Sequence, residues 1–100
     1  MKVTVNGQEV EVKKWNYGNY SSDNYGAHSI AIEIGRRTVY FSFDTPIAFS
    51  GYNSKGEKFY CVRQNEWGGT TGKHLNWIDR DKSIRLPSEE FEKELARFLE

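Results

Sequence analysis

The residues best suited to chemistry in this 100-residue chain are its two histidines, His28 and His74, its single cysteine, Cys61, and the polar groups Asp44, Asn65 and Lys73. A histidine beside a carboxylate can act as a base with its orienting acid, and the same atoms can ligate zinc. No pair among them has the spacing of a recognised ligand motif. His28 alternates with Ile30 and Ile32, which puts it on an inward strand face, where an imidazole bonded to backbone or to a carboxylate is the commoner role. His74 lies in a polar stretch and is the better candidate of the two. Cys61 sits between Tyr60 and Val62 with no cation or helix start at hand to lower its pKa, so it reads as a small packing residue. Asp44-Thr45 before Pro46 reads as an Asx-type turn, with a carboxylate facing a later loop as the functional alternative. These patterns assign no catalytic residue, no metal and no cofactor.

The string GGTTGKH, Gly68 to His74, has the glycines and lysine that a phosphate loop uses. Its spacing fails: Trp67 stands where the first Walker glycine belongs, and His74 follows Lys73 where serine or threonine is needed. A glycine-rich loop is the simpler reading.

Aromatic residues are more informative. Trp15, Tyr17, Tyr20 and Tyr25 fall in or beside one polar stretch, and Trp67 and Trp77 in another, among Asn, Ser, Gly and Thr. Tyr and Trp give contact area at low entropic cost while small polar residues adapt their hydrogen bonds, which is the chemistry of a recognition surface. Tyr17, Tyr20, Tyr25, Trp67, Lys73, His74 and Trp77 form the expected partner-binding set. The alternative is that the aromatics fold back and anchor the loops to the sheet. A second, polar set, His28, Asp44, Asn65 and His74, would build a small-ligand or hydrolytic site if the loops brought it together.

The elements that must position these residues follow from pattern. Asn6-Gly7 between alternating segments marks a type I′ hairpin, pairing Val5 with Gln8, Val3 with Val10 and Met1 with Val12. Strict alternation places Trp15 with Glu11 and Lys13 on the wet face unless a bulge at Lys13-Lys14 turns it inward. Residues 16–26 read as a loop. A second hairpin, with His28, Ile30, Ile32 and Ile34 facing Val39, Phe41 and Phe43 across Gly35-Arg36-Arg37, supplies the expected core. Pro46 should end that strand, with a short strand restarting over Ile47 to Tyr52. Phe59 to Arg63 is apolar on both faces and therefore reads as a central strand. Asn65 to Trp77 reads as a second long loop with at most a short turn of helix near its end. Pro87 and an N-capping Ser88 open a helix whose Phe91, Leu95, Phe98 and Leu99 share one face. The expectation is one α+β domain over residues 1–100: a meander of hairpins in an antiparallel sheet of five or six strands, with one C-terminal helix packed on one face.

Balanced charge, 14 Lys+Arg against 14 Asp+Glu, provides no global field toward nucleic acid or membrane. Arg36-Arg37, Arg63 and Lys73 would be the local basic patch if single strands were bound. No apolar run spans a bilayer and the start resembles no signal peptide, so a cytoplasmic protein is expected. The oligomeric state stays open.

The run from Trp15 to Glu94 resembles a family of small uncharacterised proteins carried by bacteria, phages and other mobile elements. The resemblance rests on NYSSDNYGAHS (19–29), YFSFDTPIAF (40–49), RQNEWGGTTGKHLNWID (63–79) and SEEFEKEL (88–95). It implies no established activity and carries over no catalytic residues. With the aromatic loops it implies a non-enzymatic interaction module that binds a host protein, in its sharpest form an inhibitor of a bacterial defence system such as a CRISPR nuclease.

Overall fold

The computed structural model describes residues 1–18 and 27–100. Asn6 and Gly7 both adopt positive φ, 51° and 80°, as the type I′ turn requires. They join β1 (Lys2–Val5) to β2 (Gln8–Asn16) in the expected register, Val5 opposite Gln8 and Val3 opposite Val10. Next come β3 (Ser29–Ile34), β4 (Arg37–Ser42), β5 (Thr45–Tyr52) and β6 (Lys58–Val62). Each strand pairs antiparallel with its neighbour in sequence, so the sheet runs β1-β2-β3-β4-β5-β6. The α+β class and the six-strand meander match the sequence reading.

The helices do not. Two are present among the described residues, α1 (Gly69–Ile78) and α2 (Ser88–Leu99), with a single 3₁₀ turn at Lys82–Ile84 between them. α1 occupies most of the stretch read as a loop. Its glycines and threonines are poor helix formers, and its inward stripe, Thr71, His74, Leu75 and Ile78, is half polar. That stripe nonetheless has helical spacing, and Thr71, His74 and Leu75 are buried. Tertiary packing holds a helix that local propensity does not announce.

The two helices cover opposite faces of the β5–β6 half. Phe91, Leu95 and Phe98 of α2 pack on Phe49 and Phe59, flanked by Val39, Cys61 and Leu86. Leu75 of α1 packs on Ile47, Ala48 and Val62, flanked by Tyr40 and Ile78. This explains β6: it is an edge strand, not a central one, and its residues are apolar on both sides because a helix meets each. A bulge in β5 helps, since Tyr40 faces Ala48 while Phe41 faces Pro46. The extra residue, Ile47, turns into the same cluster as its neighbour Ala48; β4 stops at Ser42, before Asp44-Thr45-Pro46 as expected, but the next strand restarts at Thr45 and takes Pro46 in as its second residue.

The expected core of His28, Ile30, Ile32, Ile34, Val39, Phe41 and Phe43 is displaced accordingly. Ile34, Phe43 and Leu99 are exposed, and the others are only half-buried. α2 lies over β5 and β6 and leaves the β3–β4 half of its face as an open apolar groove of about 300 Å³. Trp15 needs no bulge, because the β2–β3 register is continuous from Val12 to Asn16, and its indole lies edge-on to Tyr40 at 6.3 Å. Ser88 makes no cap bond with its side chain. Pro87 holds the cap position, and Ser88 Oγ instead accepts from Arg63 Nε at 3.1 Å.

Candidate functional site

α1 is bolted to the sheet by a buried polar cluster. Ser42 Oγ lies 2.7 Å from His74 Nδ1 and 2.9 Å from Thr71 Oγ1, and all three residues are buried. Tyr17 is buried beside them, its hydroxyl donating to the Phe41 carbonyl at 2.8 Å. Its ring lies edge-on to His74 at 5.8 Å and to Tyr40 at 5.4 Å, and tilted against Trp77 at 5.2 Å. Ser42 precedes Phe43, a bulky residue held at φ 56° in the two-residue β4–β5 turn. In that backbone region the Cβ crowds the following carbonyl oxygen, which costs about 1–2 kcal/mol. Phe43 stays exposed and stacks on His28 at 4.1 Å.

Around this bolt the large aromatics face outward on the α1 side of the sheet. Trp15, Phe43, Trp67 and Trp77 expose 38%, 46%, 44% and 47% of their surface. Trp67 precedes α1 and Trp77 lies in its last turn; Phe43 and Trp67 flank a small cleft of about 180 Å³ whose floor carries Ser42 and Thr71. Of the expected partner-binding set, Trp67, Lys73 and Trp77 lie at the surface, while Tyr17 and His74 are fully buried and offer a partner no area. Tyr20 and Tyr25 lie outside the described residues.

The polar set is not assembled. Asp44 is exposed in its turn and His28 is stacked on Phe43. Asn65 organises its own loop, accepting from the Trp67 amide at 2.9 Å and donating to the Gly68 carbonyl at 3.4 Å. Among the described residues no hydrogen bond joins any two of His28, Asp44, Asn65 and His74. No three His, Cys, Asp or Glu side chains among them are grouped to hold a metal ion. Ser42 Oγ meets both His74 and Thr71 of α1, so this cluster ties α1 to β4. Burial, reinforced by Glu94 and partly offset by Arg97, pushes the Cys61 thiol up, which keeps it protonated and unreactive.

The basic residues are dispersed. Arg63 is buried, while Arg37 donates to the carbonyls of Tyr52 and Glu100 at 3.1 and 3.2 Å. Sequence reasoning also missed the pair Tyr60–Asp79, whose members lie on β6 and just after α1, far apart in the chain. The Tyr60 hydroxyl donates to Asp79 Oδ2 at 2.6 Å. Burial, followed by this bond, pushes the phenol well above its ordinary 10.0. The same bond and the Asp81 amide hold the Asp79 carboxyl below the usual range. The raised phenol stabilises the fold fully below pH 10.0, a contribution lost as pH rises through its folded value. The lowered carboxyl stabilises it above the ordinary aspartate pKa of about 3.9, a contribution lost as pH falls through its folded value. Tyr60→Phe is therefore expected to remove one late-ionising phenol from an absorbance titration and to flatten both the acid and the alkaline limbs of melting temperature against pH.

No helix among the described residues is long and apolar enough to cross a membrane. Searches of curated proteins and of solved structures each find no match. One family match does run from the first hairpin turn through α1 and into the first half of α2: over residues 7–93 the chain belongs to DUF8033, a family of unknown function.

Proposed function

We propose that this protein is a non-enzymatic interaction module that engages another protein through the aromatic surface on the α1 side of its sheet. The observation that carries the reading is the exposure of Trp15, Phe43, Trp67 and Trp77 around a helix fastened from beneath. Exposed tryptophans on a rigid support are the usual anchors of binding energy, because little conformational freedom is lost when a partner covers them. The resemblance to proteins of mobile elements supports a finer form, in which the partner is a host protein and a CRISPR-type defence nuclease is the first to try.

The test is a direct binding measurement against proteins captured from a bacterial lysate. One retained protein should bind the wild type and lose at least about tenfold in affinity with each of Trp67→Ala and Trp77→Ala. Both variants should melt within a few degrees of wild type, since each indole is nearly half exposed. Retention unchanged by either substitution would overturn the assignment to this surface.

A further inference from the structure

α2 covers only part of its face of the sheet. Strand pairing sets Ile34 between Val12 and Arg37, Ile32 between Lys14 and Val39, and Ile30 between Asn16 and Phe41. These side chains share the face of Phe49, which pairs with Val39 and is covered by α2. Ile32, Ile34, Val39 and Phe41 form one wall of the open groove, opposite Leu95 and Leu99 of α2, and Val12 and Ile30 extend the apolar strip beyond it. At its rim Ile34 and Leu99 expose 46% and 55% of their surface.

The width of the strip suits a helix. Strands lie about 4.8 Å apart and packed helices about 8–10 Å apart, so one helix spans about two strands. α2 occupies β5 and β6. The next helix-wide place on this face lies over β3 and β4, with its outer flank at β2.

Charge decides what fills it. On its sheet side the strip carries two cations, Lys14 and Arg37, and no carboxylate. Arg37 donates to the Glu100 carbonyl beyond α2. Lys14 is exposed and enters no ion pair among the described residues. A second copy laid strip to strip would set cations against cations with no carboxylate between them. α2 itself shows the chemistry this face accepts: an apolar stripe of Phe91, Leu95 and Phe98 in a helix with four glutamates, one of which, Glu92, pairs with Arg63 at 2.7 Å.

We propose that the strip over β2–β4 docks an acidic amphipathic helix of a partner protein, laid beside α2 with its apolar stripe on Ile32, Ile34 and Phe41 and a carboxylate at Lys14. Docking of this kind reads apolar anchors at helical spacing and takes its specificity from charges at the flank. It uses the opposite side of the sheet from the aromatic surface, so the two sites stand or fall separately.

The probes are two peptides of about 18 residues, long enough to turn helical, with leucines on one stripe and either glutamates or lysines on the flanks. Each is titrated into the full chain at constant ionic strength and followed on the isoleucine methyl resonances by NMR. The glutamate peptide should give saturable shifts at Ile32 and Ile34 and bind at least about tenfold more tightly than the lysine peptide. Lys14→Glu, at an exposed position and with its fold checked by melting temperature, should reverse that order. Ile34→Asp should weaken the glutamate peptide by at least about tenfold. An order unchanged in Lys14→Glu would overturn the acidic assignment, and shifts at Trp67 and Trp77 in place of the isoleucines would overturn the placement. Isoleucine shifts that follow the protein's own concentration, with a doubled mass in sedimentation, would overturn it in favour of a second copy.

Discussion

Gly51→Ala should lower stability by more than about 3 kcal/mol. Gly51 sits at φ 131° in β5, and an added Cβ would overlap the carbonyl oxygen of Arg36 and lie 3.0 Å from Arg37 Cα. That carbonyl cannot turn away, because it accepts the Tyr52 amide at 3.1 Å where the β3–β4 turn closes onto β5. Thermal melting should show a loss of more than about 12 °C, on the scale of about 4–8 °C per kcal/mol for a domain of this size. Gly56→Ala is the control: its φ is 81°, yet a Cβ there meets nothing within 4 Å, so only the backbone preference, about 1–2 kcal/mol, is lost. Equal losses in the two variants would show that φ alone, and not the closed approach to Arg36, is responsible.

Arg63→Ala should cost about 2–3 kcal/mol, measured as a lower urea midpoint at unchanged slope. The guanidinium is buried where β6 meets α2. Nη1 donates to Glu92 Oε1 at 2.7 Å and to the Pro46 carbonyl at 3.3 Å, and Nε donates to Ser88 Oγ. It also lies 5.1 Å from the Trp67 ring and 5.2 Å from that of Phe91. One side chain thus joins two strands, the start of α2 and an indole of the aromatic surface. Arg63→Lys should recover less than half of the loss, since a single ammonium cannot reach these acceptors at once or lie flat between two rings. Glu92→Gln should cost under about 1 kcal/mol, because its carboxylate is half exposed and the arginine keeps its other partners.

Arg63 also shows where sequence reasoning stops. Hairpins were legible because their signals are local: Asn6-Gly7 dictates its own register, and alternation over Ile30, Ile32 and Ile34 marks a strand whatever covers it. What covers it is not local. The isoleucine face carries the strongest pattern in the chain yet stays half open, while Phe49 and Phe59, with weaker patterns, take the core because the helices land there. Trp67 and Trp77 were recognisable as surface candidates from their polar neighbours. Tyr17 and His74 had the same neighbours and are buried, His74 because it shares an inward helical stripe with Thr71, Leu75 and Ile78, and Tyr17 because it packs beside it. Arg63 and Arg85 gave no sign of burial, because an arginine's partners here come from α2, β5 and the end of α1.

The meander has a consequence for the order in which the chain becomes protected. Every strand hydrogen-bonds to the one just before it, so the sheet can grow behind the ribosome by successive short-range closures, each with little loop entropy to overcome. Both helices of the described residues come after all six strands. Phe49, Phe59 and Val62 thus precede Leu75, Phe91 and Phe98, the residues that cover them, and until the helices dock the sheet has sticky surfaces on both sides. Protection of both faces of this sheet is therefore supplied by residues that follow the strands in need of it, and a chain cut between Val62 and Phe91 would leave those faces open to misassembly.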